Sequence, residues 1–271
     1  MKRNLFILMA VVMVALSAHK TSAQEKEIAI VAHRGFWNCE EAGKAKNSIA
    51  GLAQAQKNDF WGSEFDVNMS KDSVLLIFHD GNVDGRSIEK KPAEEFEYYR
   101  LKNNEPIPTL DEYLIQAQKA PETMLVFELK KHLKKKTEST AVDMSIRKLK
   151  EYDLFYPDRV MFISFSKHIC KEFAKKAPGF TVQYLEANAK PNQLVRKGIN
   201  GIDTRHTVLR TKKKLYARAR ANDMSVNTWT VNKEEDIRKM IELGVDQITT
   251  DNPLLVRQLL QEMGVKEKKA R

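Results

Sequence analysis

Short apolar runs alternate with segments of helical periodicity along the chain from residue 27 onward. Nine runs are rich in β-branched and aromatic residues and bounded by polar turns, which predicts strands. They are Ile28–Ala32, Trp61–Val67, Val74–Phe78, Met124–Leu129, Val160–Phe165, Thr181–Leu185, Ile199–Asp203, Ser225–Thr230 and Gln247–Thr250. Such α/β alternation over about 250 residues favours a parallel sheet, most simply a (β/α)8 TIM barrel. A doubly wound open sheet is the alternative, although no glycine-rich nucleotide motif follows a strand.

Several segments between these runs have sequences typical of helix starts. Thr109–Glu112 and Asn232–Glu235 each match the capping box, in which a side-chain oxygen and a Glu bind free amides of the first turn. Pro191 and Pro253 suit the first position of a helix. These signals predict crossover helices between the strands.

Nine strands are one more than an eight-stranded barrel requires. The turn at residues 70–73, between the second and third predicted strands, is too short for a crossover helix, so these two strands should form a hairpin. The hairpin would bring His79 level with Glu64 and Asp66 at one rim. Residues 80–108 are polar and lack clear periodicity. We therefore expect them to form a short insertion over the barrel mouth.

The first 23 residues follow a different pattern. A basic start at Met1–Asn4, an apolar run at Leu5–Leu16 and small residues at Thr21–Ala23 have the order of a secretory signal peptide. A membrane-spanning helix needs roughly 20 apolar residues, so a stable membrane anchor is not expected. The sequence predicts cleavage after Ala23 and a single domain at residues 24–271, located in the periplasm or secreted.

Composition adds charge and two cysteines to this picture. The net charge is +10 over 271 residues, which suits anionic substrates or surfaces. The basic runs Lys134–Lys136 and Lys266–Arg271 are interpreted as solvated faces. No nucleic-acid motif accompanies the charge, so a nucleic-acid partner is not expected. Cys39 and Cys170 fall in distant units of the predicted barrel, and we expect both thiols to be free.

Acidic residues lie at the ends of two neighbouring strands, where TIM barrels place their catalytic groups. Glu64 and Asp66 point to the same face because strand side chains alternate, and Glu128 ends the next barrel strand. Three converging carboxylates repel one another unless a cation lies among them. Ligation by oxygen alone favours Mg²⁺ or Ca²⁺ over Zn²⁺. The sequence therefore predicts a site for one divalent cation at these three residues.

Basic and aromatic residues follow the same strand ends. A bound cation would polarise a phosphoryl oxygen, while Arg34 and Lys130 would hold the remaining negative charge. His33 and His79 could share the proton transfers of hydrolysis. Trp229 is a candidate contact for the substrate. Together these residues predict a small-molecule phosphodiester as the partner of the site.

Six motifs occur in order along the chain. They are Ala-His-Arg-Gly at 32–35, Glu-Phe-Asp at 64–66, His-Asp at 79–80, Glu-Leu-Lys at 128–130, Trp-Thr-Val-Asn at 229–232 and Thr-Asp-Asn-Pro at 250–253. Their order and spacing resemble the glycerophosphodiester phosphodiesterase family, within the phospholipase C-like TIM-barrel superfamily. The resemblance implies the same cation ligands and the acid–base pair His33 and His79, with Arg34 and Lys130 near the phosphate. It also implies hydrolysis of glycerophosphodiesters to glycerol 3-phosphate and an alcohol.

One segment departs from that family. Its members usually have Pro-Glu-Asn-Thr before the first helix, whereas this chain has Ala-Lys-Asn-Ser at 45–48. Asn47 and Ser48 keep the helix-start chemistry, but Lys46 replaces an acid and reverses a charge close to the site. Two further hypotheses are a related barrel phosphodiesterase acting on inositol or sphingolipid phosphodiesters, and a non-catalytic phosphodiester-binding protein.

Overall fold

The computed structural model describes residues 27–188 and 190–270, so the predicted signal peptide lies outside the described residues. Eight parallel strands form a closed barrel: β1 (Glu27–Ala32), β2 (Gly62–Met69), β6 (Met124–Leu129), β7 (Val160–Ser164), β8 (Val182–Tyr184), β9 (Gly201–Arg205), β10 (Ser225–Trp229) and β11 (Gln247–Thr250). Strand β1 pairs with β11 on one side and with β2 on the other, which closes the barrel. The predicted TIM barrel is confirmed, and an open sheet is excluded.

Helices connect the barrel strands. They are α1 (Ile49–Lys57), α2 (Leu110–Ala117), α3 (Lys135–Glu151), α4 (Lys167–Lys176), α5 (Pro191–Val195), α6 (His206–Thr211), α7 (Lys213–Arg220), α8 (Glu234–Leu243) and α9 (Pro253–Glu262). Pro191 and Pro253 begin their helices as predicted, and Thr109 forms the predicted capping box with Glu112. Among the described helices, none combines the length and apolar character needed to cross a bilayer.

The second predicted capping box is wrong. Helix α8 begins after Lys233, and no side chain caps its first turn. The Asn232 amide instead donates to Asp251 Oδ2 at 2.7 Å, and its Oδ1 accepts from the Asp251 N–H at 2.9 Å. The Asn232 side chain therefore binds Asp251 on the neighbouring barrel unit and does not cap helix α8.

The extra strand is β3 (Leu75–Ile77), which pairs antiparallel with β2 and forms the predicted hairpin. The segment after it contains a small hairpin, β4 (Asn82–Val83) with β5 (Arg86–Ser87), and two 3-10 turns at Ile88–Lys90 and Ala93–Phe96. This segment has a small core of its own, made by Leu76, Val83, Ile88, Phe96 and Ile107. The insertion is therefore packed against the hairpin on which the predicted His79 lies.

Alternation along the strands divides the apolar residues into two layers. Phe65 and Phe127 point outward and pack between barrel and helices, with ring centroids 5.1 Å apart. Val126 and Met161 belong to a smaller cluster inside the barrel. Because side chains alternate, Glu64 and Asp66 on either side of Phe65 point into the barrel. The outward aromatic core thus fixes the inward direction of the acidic residues.

The basic C-terminal run is only in part a solvated face, which corrects our interpretation. Residues Lys266–Lys268 form a twelfth strand, β12, that pairs in parallel with Glu27–Ala29 of β1. Strand β2 pairs with β1 only at Val31 and Ala32, so the start of β1 is left free for another strand. Glu267 also binds the Arg257 guanidinium at 2.7 Å. Backbone hydrogen bonds thus join residues Lys266–Lys268 to the sheet, although their basic composition had predicted exposure to solvent.

Candidate active site

A cavity of about 190 Å³ opens among the carboxyl ends of the barrel strands. Seven of the eight predicted site residues line it, and the eighth, Lys130, binds two of them. The lining consists of His33, Arg34, Glu64, Asp66, His79, Glu128, Ile163, Phe165, Leu185, Asp203, Arg205, Trp229, Thr230 and Thr249. The hairpin therefore brings His79 to the acidic residues, as the sequence predicted.

Three buried carboxylates form one group in this cavity. Glu64, Asp66 and Glu128 each offer an oxygen, and the three oxygens lie within 4.8 Å of one another. Lys130 Nζ donates to Asp66 Oδ1 at 3.0 Å and to Glu128 Oε1 at 2.6 Å. Arg34 Nε lies 3.3 Å from Asp66 Oδ2 and makes no hydrogen bond. Two cations thus face three carboxylates, which leaves one negative charge unmatched.

The pKa values of the three carboxyl groups reflect this imbalance of charge. Burial, with the charges of Asp66 and Glu128, raises the pKa of Glu64 well above its usual value. Burial also raises the pKa of Glu128, to about 7, despite the nearby Lys130. At Asp66 burial acts in the same direction, but Lys130 and Arg34 outweigh it, so the pKa of Asp66 is lowered. Buried carboxylates with too little compensating charge are the donor set that a hard divalent cation fits.

The loop after β1 ties this strand to the acidic group. Arg34 has a left-handed backbone, φ 57°, and its N–H donates to Glu64 Oε2 at 2.8 Å. Gly35 continues the turn with φ 79° and donates its N–H to the Glu64 carbonyl at 3.0 Å. A Cβ at Gly35 would lie 2.7 Å from the carbonyl carbon of Gly51 in helix α1. Close approach of α1 therefore requires glycine in the His-Arg-Gly motif.

Asn47 holds Asp66 in place, a role that the sequence did not indicate. The Asn47 amide donates to Asp66 Oδ2 at 2.9 Å, and its carbonyl oxygen accepts the Asp66 N–H at 3.2 Å. Ser48, the next residue, is the N-cap of α1 and accepts from the Gly51 N–H. The helix-start chemistry predicted for both residues is thus confirmed for Ser48, while Asn47 orients a carboxylate of the acidic group.

His33 is oriented by Asp251, which the sequence did not identify as a site residue. His33 Nδ1 lies 2.7 Å from Asp251 Oδ1, which also accepts from the Trp37 indole at 2.9 Å. Burial raises the pKa of Asp251, but the hydrogen bond and charge of His33 outweigh it and lower that pKa to about 2. With Nδ1–H donated to this carboxylate, the lone pair of His33 is on Nε2, 4.0 Å from Glu64 Oε2.

His79 has an acidic partner of its own. Its Nδ1 lies 2.6 Å from Asp80 Oδ1, the following residue in the chain. Burial lowers the pKa of His79, although Asp66 acts in the opposite direction. Both imidazoles therefore hold a carboxylate on Nδ1 and have Nε2 free for proton transfer. Hydrolysis of a phosphodiester by acid–base catalysis requires one proton acceptor and one proton donor, and two imidazoles beside the acidic group could fill these roles.

The opposite side of the cavity is apolar, and we call Ile163, Phe165, Leu185 and Trp229 the apolar side. The Trp229 and Phe165 rings meet edge to face, with centroids 5.6 Å apart. Arg205 and Asp203, both on β9, also line the cavity, and neither was predicted. Burial raises the pKa of Asp203 well above its usual value, and Asn227 donates to its Oδ2 at 3.1 Å. Trp229 thus stands where a substrate contact was expected.

Lys46 does not enter the acidic group. Its ammonium lies 4.4 Å from the centroid of the Trp37 ring, and the side chain is exposed. Two residues, Trp37 and Asp251, therefore separate the reversed charge from His33. Cys39 and Cys170 are both free, as expected.

This TIM barrel, with three buried carboxylates and two histidines at its mouth, has the fold and the site expected of a barrel phosphodiesterase. Residues 33–255 match the Glycerophosphoryl diester phosphodiesterase family. The chain belongs to this family, which places it among the phosphoric diester hydrolases and confirms the resemblance drawn from the six motifs.

Known relatives agree with this family. A glycerophosphodiester phosphodiesterase of Parabacteroides distasonis is 34% identical in structure-based alignment, with a TM-score of 0.84 over 89% of this chain and 99% of that one. The glycerophosphodiester phosphodiesterase of Caldanaerobacter subterraneus is 25% identical over 259 residues, 87% of this chain and 98% of its own. An Oleispira antarctica phosphodiesterase solved with the product sn-glycerol-3-phosphate shares the fold at 22% identity and a TM-score of 0.74, covering 86% of this chain and 96% of that one.

Proposed function

We propose that the protein hydrolyses glycerophosphodiesters to glycerol 3-phosphate and an alcohol in a reaction that depends on one divalent cation, Mg²⁺ or Ca²⁺. The observation that supports this proposal is the shared cavity of Glu64, Asp66, Glu128 and the two histidines. A binding protein has no use for two imidazoles whose Nδ1 atoms are each held by a carboxylate. The sphingolipid and inositol alternatives gain no specific support from the cavity.

The acidic group would hold the cation through Glu64, Asp66 and Glu128. Such a cation, when bound, supplies Lewis-acid polarisation of the phosphoryl oxygen. Arg34 and Lys130 lie against the same carboxylates and would bind the remaining phosphate charge. Trp229 would contact the organic part of the substrate on the apolar side.

Proton transfer falls to His33 and His79. In the first step the glycerol 2-hydroxyl attacks phosphorus and gives its proton to one imidazole, while the other protonates the departing alcohol oxygen. In the second step water opens the cyclic phosphate and the two imidazoles exchange roles. Asp251 and Asp80 act by fixing the tautomer in which Nε2 of each ring is free.

The test is release of glycerol 3-phosphate from glycerophosphoethanolamine and glycerophosphoserine by the mature protein. Assays with EDTA, with Mg²⁺ and with Ca²⁺ stand beside His79→Ala, with intact sphingomyelin and phosphatidylinositol as competing substrates. Turnover that requires metal and is lost in the variant is expected. A folded protein that binds the cation but cleaves no glycerophosphodiester would contradict the proposal.

We also propose that the chain is exported and acts in the periplasm or outside the cell. The basic start, short apolar run and small residues of positions 1–23 support export. Mass measurement of the protein recovered from the extracytoplasmic fraction would test it. A protein that begins at Gln24 is expected, whereas an uncleaved cytoplasmic product would contradict it.

A further inference from the structure

Arg205 lines the cavity beside Trp229 and, among the described residues, has no acidic partner. It ends strand β9 and is the register partner of Trp229 on β10. Its guanidinium carbon lies 5.2 Å from the centroid of the Trp229 ring, and both side chains line the cavity. Within the described chain no carboxylate forms an ion pair with it. The stacking on Trp229 therefore places an uncompensated positive charge at the cavity.

The other cations of the cavity are already engaged. Lys130 contacts Asp66 and Glu128, and Arg34 lies beside Asp66. Asp203, on the same face of β9 as Arg205, is buried and accepts from the Asn227 amide. Arg205 thus differs from Arg34 and Lys130, because no carboxylate of the described residues binds its guanidinium, which is exposed where it lines the cavity beside Trp229.

This arrangement bears on the alcohol of the substrate. Aromatic faces commonly bind quaternary ammonium groups through cation–π contact. Here the guanidinium of Arg205 already lies over the Trp229 ring, so a positively charged headgroup would meet like charge. A carboxylate or phosphate at the same place would form charge-assisted hydrogen bonds with the planar fork of the guanidinium.

We infer that Arg205 and Trp229 form a subsite for a second anionic group, and that the preferred substrates are glycerophosphodiesters whose alcohol bears a carboxylate or a further phosphate. The inference rests on the proposed function, and it names the substrate class of that same site. Arg205 is in this view a specificity residue that contacts the substrate and takes no part in proton transfer.

The experiment compares two substrates that differ in one group. Glycerophosphoserine and glycerophosphoethanolamine share the glycerol, the phosphate and the amine, and only the first has a carboxylate. With Mg²⁺ present, we expect kcat/KM to favour glycerophosphoserine by about tenfold, because charge-assisted hydrogen bonds are stronger than neutral ones. In Arg205→Gln this ratio should fall to near one, chiefly through loss on glycerophosphoserine, while activity on glycerophosphoethanolamine is retained.

A charge-matched control separates the subsite from the general basic charge of the protein. Lys213→Gln removes one exposed positive charge on helix α7 and should leave the substrate ratio unchanged. Turnover of both substrates with equal kcat/KM in the wild type, or a preference that survives in Arg205→Gln, would overturn the inference and leave the proposed function standing. Absence of turnover with either substrate would overturn the proposed function and the inference with it.

Discussion

The two sides of the cavity are built from the same kind of strand end but differ in chemistry. On the acidic side Glu64, Asp66 and Glu128 are buried, and each carboxylate accepts a hydrogen bond from a second residue. On the apolar side Phe165 and Trp229 pack edge to face, and most of the lining contributes surface without charge. Under the proposed function, the reacting phosphate would lie on the first side and the alcohol of the substrate on the second.

Substitution on the acidic side should have the largest effect. Asp66→Asn keeps the shape but removes the charge that Lys130, Arg34 and Asn47 surround. We expect kcat/KM to fall on the order of 10³-fold for every substrate, because the loss concerns charge stabilisation in the transition state. Parallel kinetics on Leu185→Ala, on the apolar side, should show a change mainly in KM. A loss of kcat in the apolar-side variant equal to that in Asp66→Asn would contradict the comparison.

The partner of His33 provides a smaller test of the same side. Asp251→Asn removes the carboxylate that binds Nδ1 and leaves Trp37 and Asn232 as neighbours. Because the wrong tautomer would then be accessible to His33, kcat should fall by about 10²-fold, in the range that positioned acid–base groups contribute. A merely structural role would leave the pH profile unmoved, so the profile of kcat is the readout. An unchanged kcat and an unchanged pH profile would show that Asp251 does not position His33 for catalysis.

Protonation gives the acidic side a pH dependence that the apolar side lacks. The pKa of Glu128 is raised to about 7 and that of Glu64 well above its usual value, so protons occupy this group at pH 6. Cation binding requires the ionised carboxylates and releases these protons, so affinity should increase with pH. We expect the Kd for Mg²⁺ or Ca²⁺ to fall by up to about tenfold per pH unit between pH 6 and 7. Calorimetry in buffers of different ionisation enthalpy measures both Kd and proton release, and constant affinity across this range would contradict the prediction.

Much of the acidic side could be predicted from sequence because local rules decide it. Alternation places Glu64 and Asp66 on one face, and the short turn between two strands requires a hairpin, which brings His79 to the same rim. Both rules depend only on residues close together in the chain, so a single sequence is enough to predict these positions. Asp251, in contrast, meets His33 from 218 residues away, and only closure of the barrel between β1 and β11 brings them together. The Thr-Asp-Asn-Pro motif was visible, but its role was not.

The apolar side was predicted less well for a similar reason. Trp229 was identified because it ends a strand, whereas nothing in the sequence around Arg205 indicated a role in the site. Its importance depends on the register of β9 against β10, which pairs it with Trp229. Closure of a barrel fixes the stagger between neighbouring strands, so the sequence around residue 205 does not by itself show which residue of β10 lies beside it.

The smallest expected effect concerns Lys46, the site of departure from the family pattern. Lys46→Glu restores the usual acid, but the side chain is exposed and reaches the site only through Trp37, whose indole binds Asp251. Exposed charges are screened by solvent, so kcat/KM should change by less than about threefold at physiological ionic strength. Lys44→Glu, another exposed lysine in the same loop, is the matched control. A gain of tenfold or more in Lys46→Glu alone would show that the acidic side extends beyond the carboxylates described here, and that Trp37 transmits charge from the rim to His33.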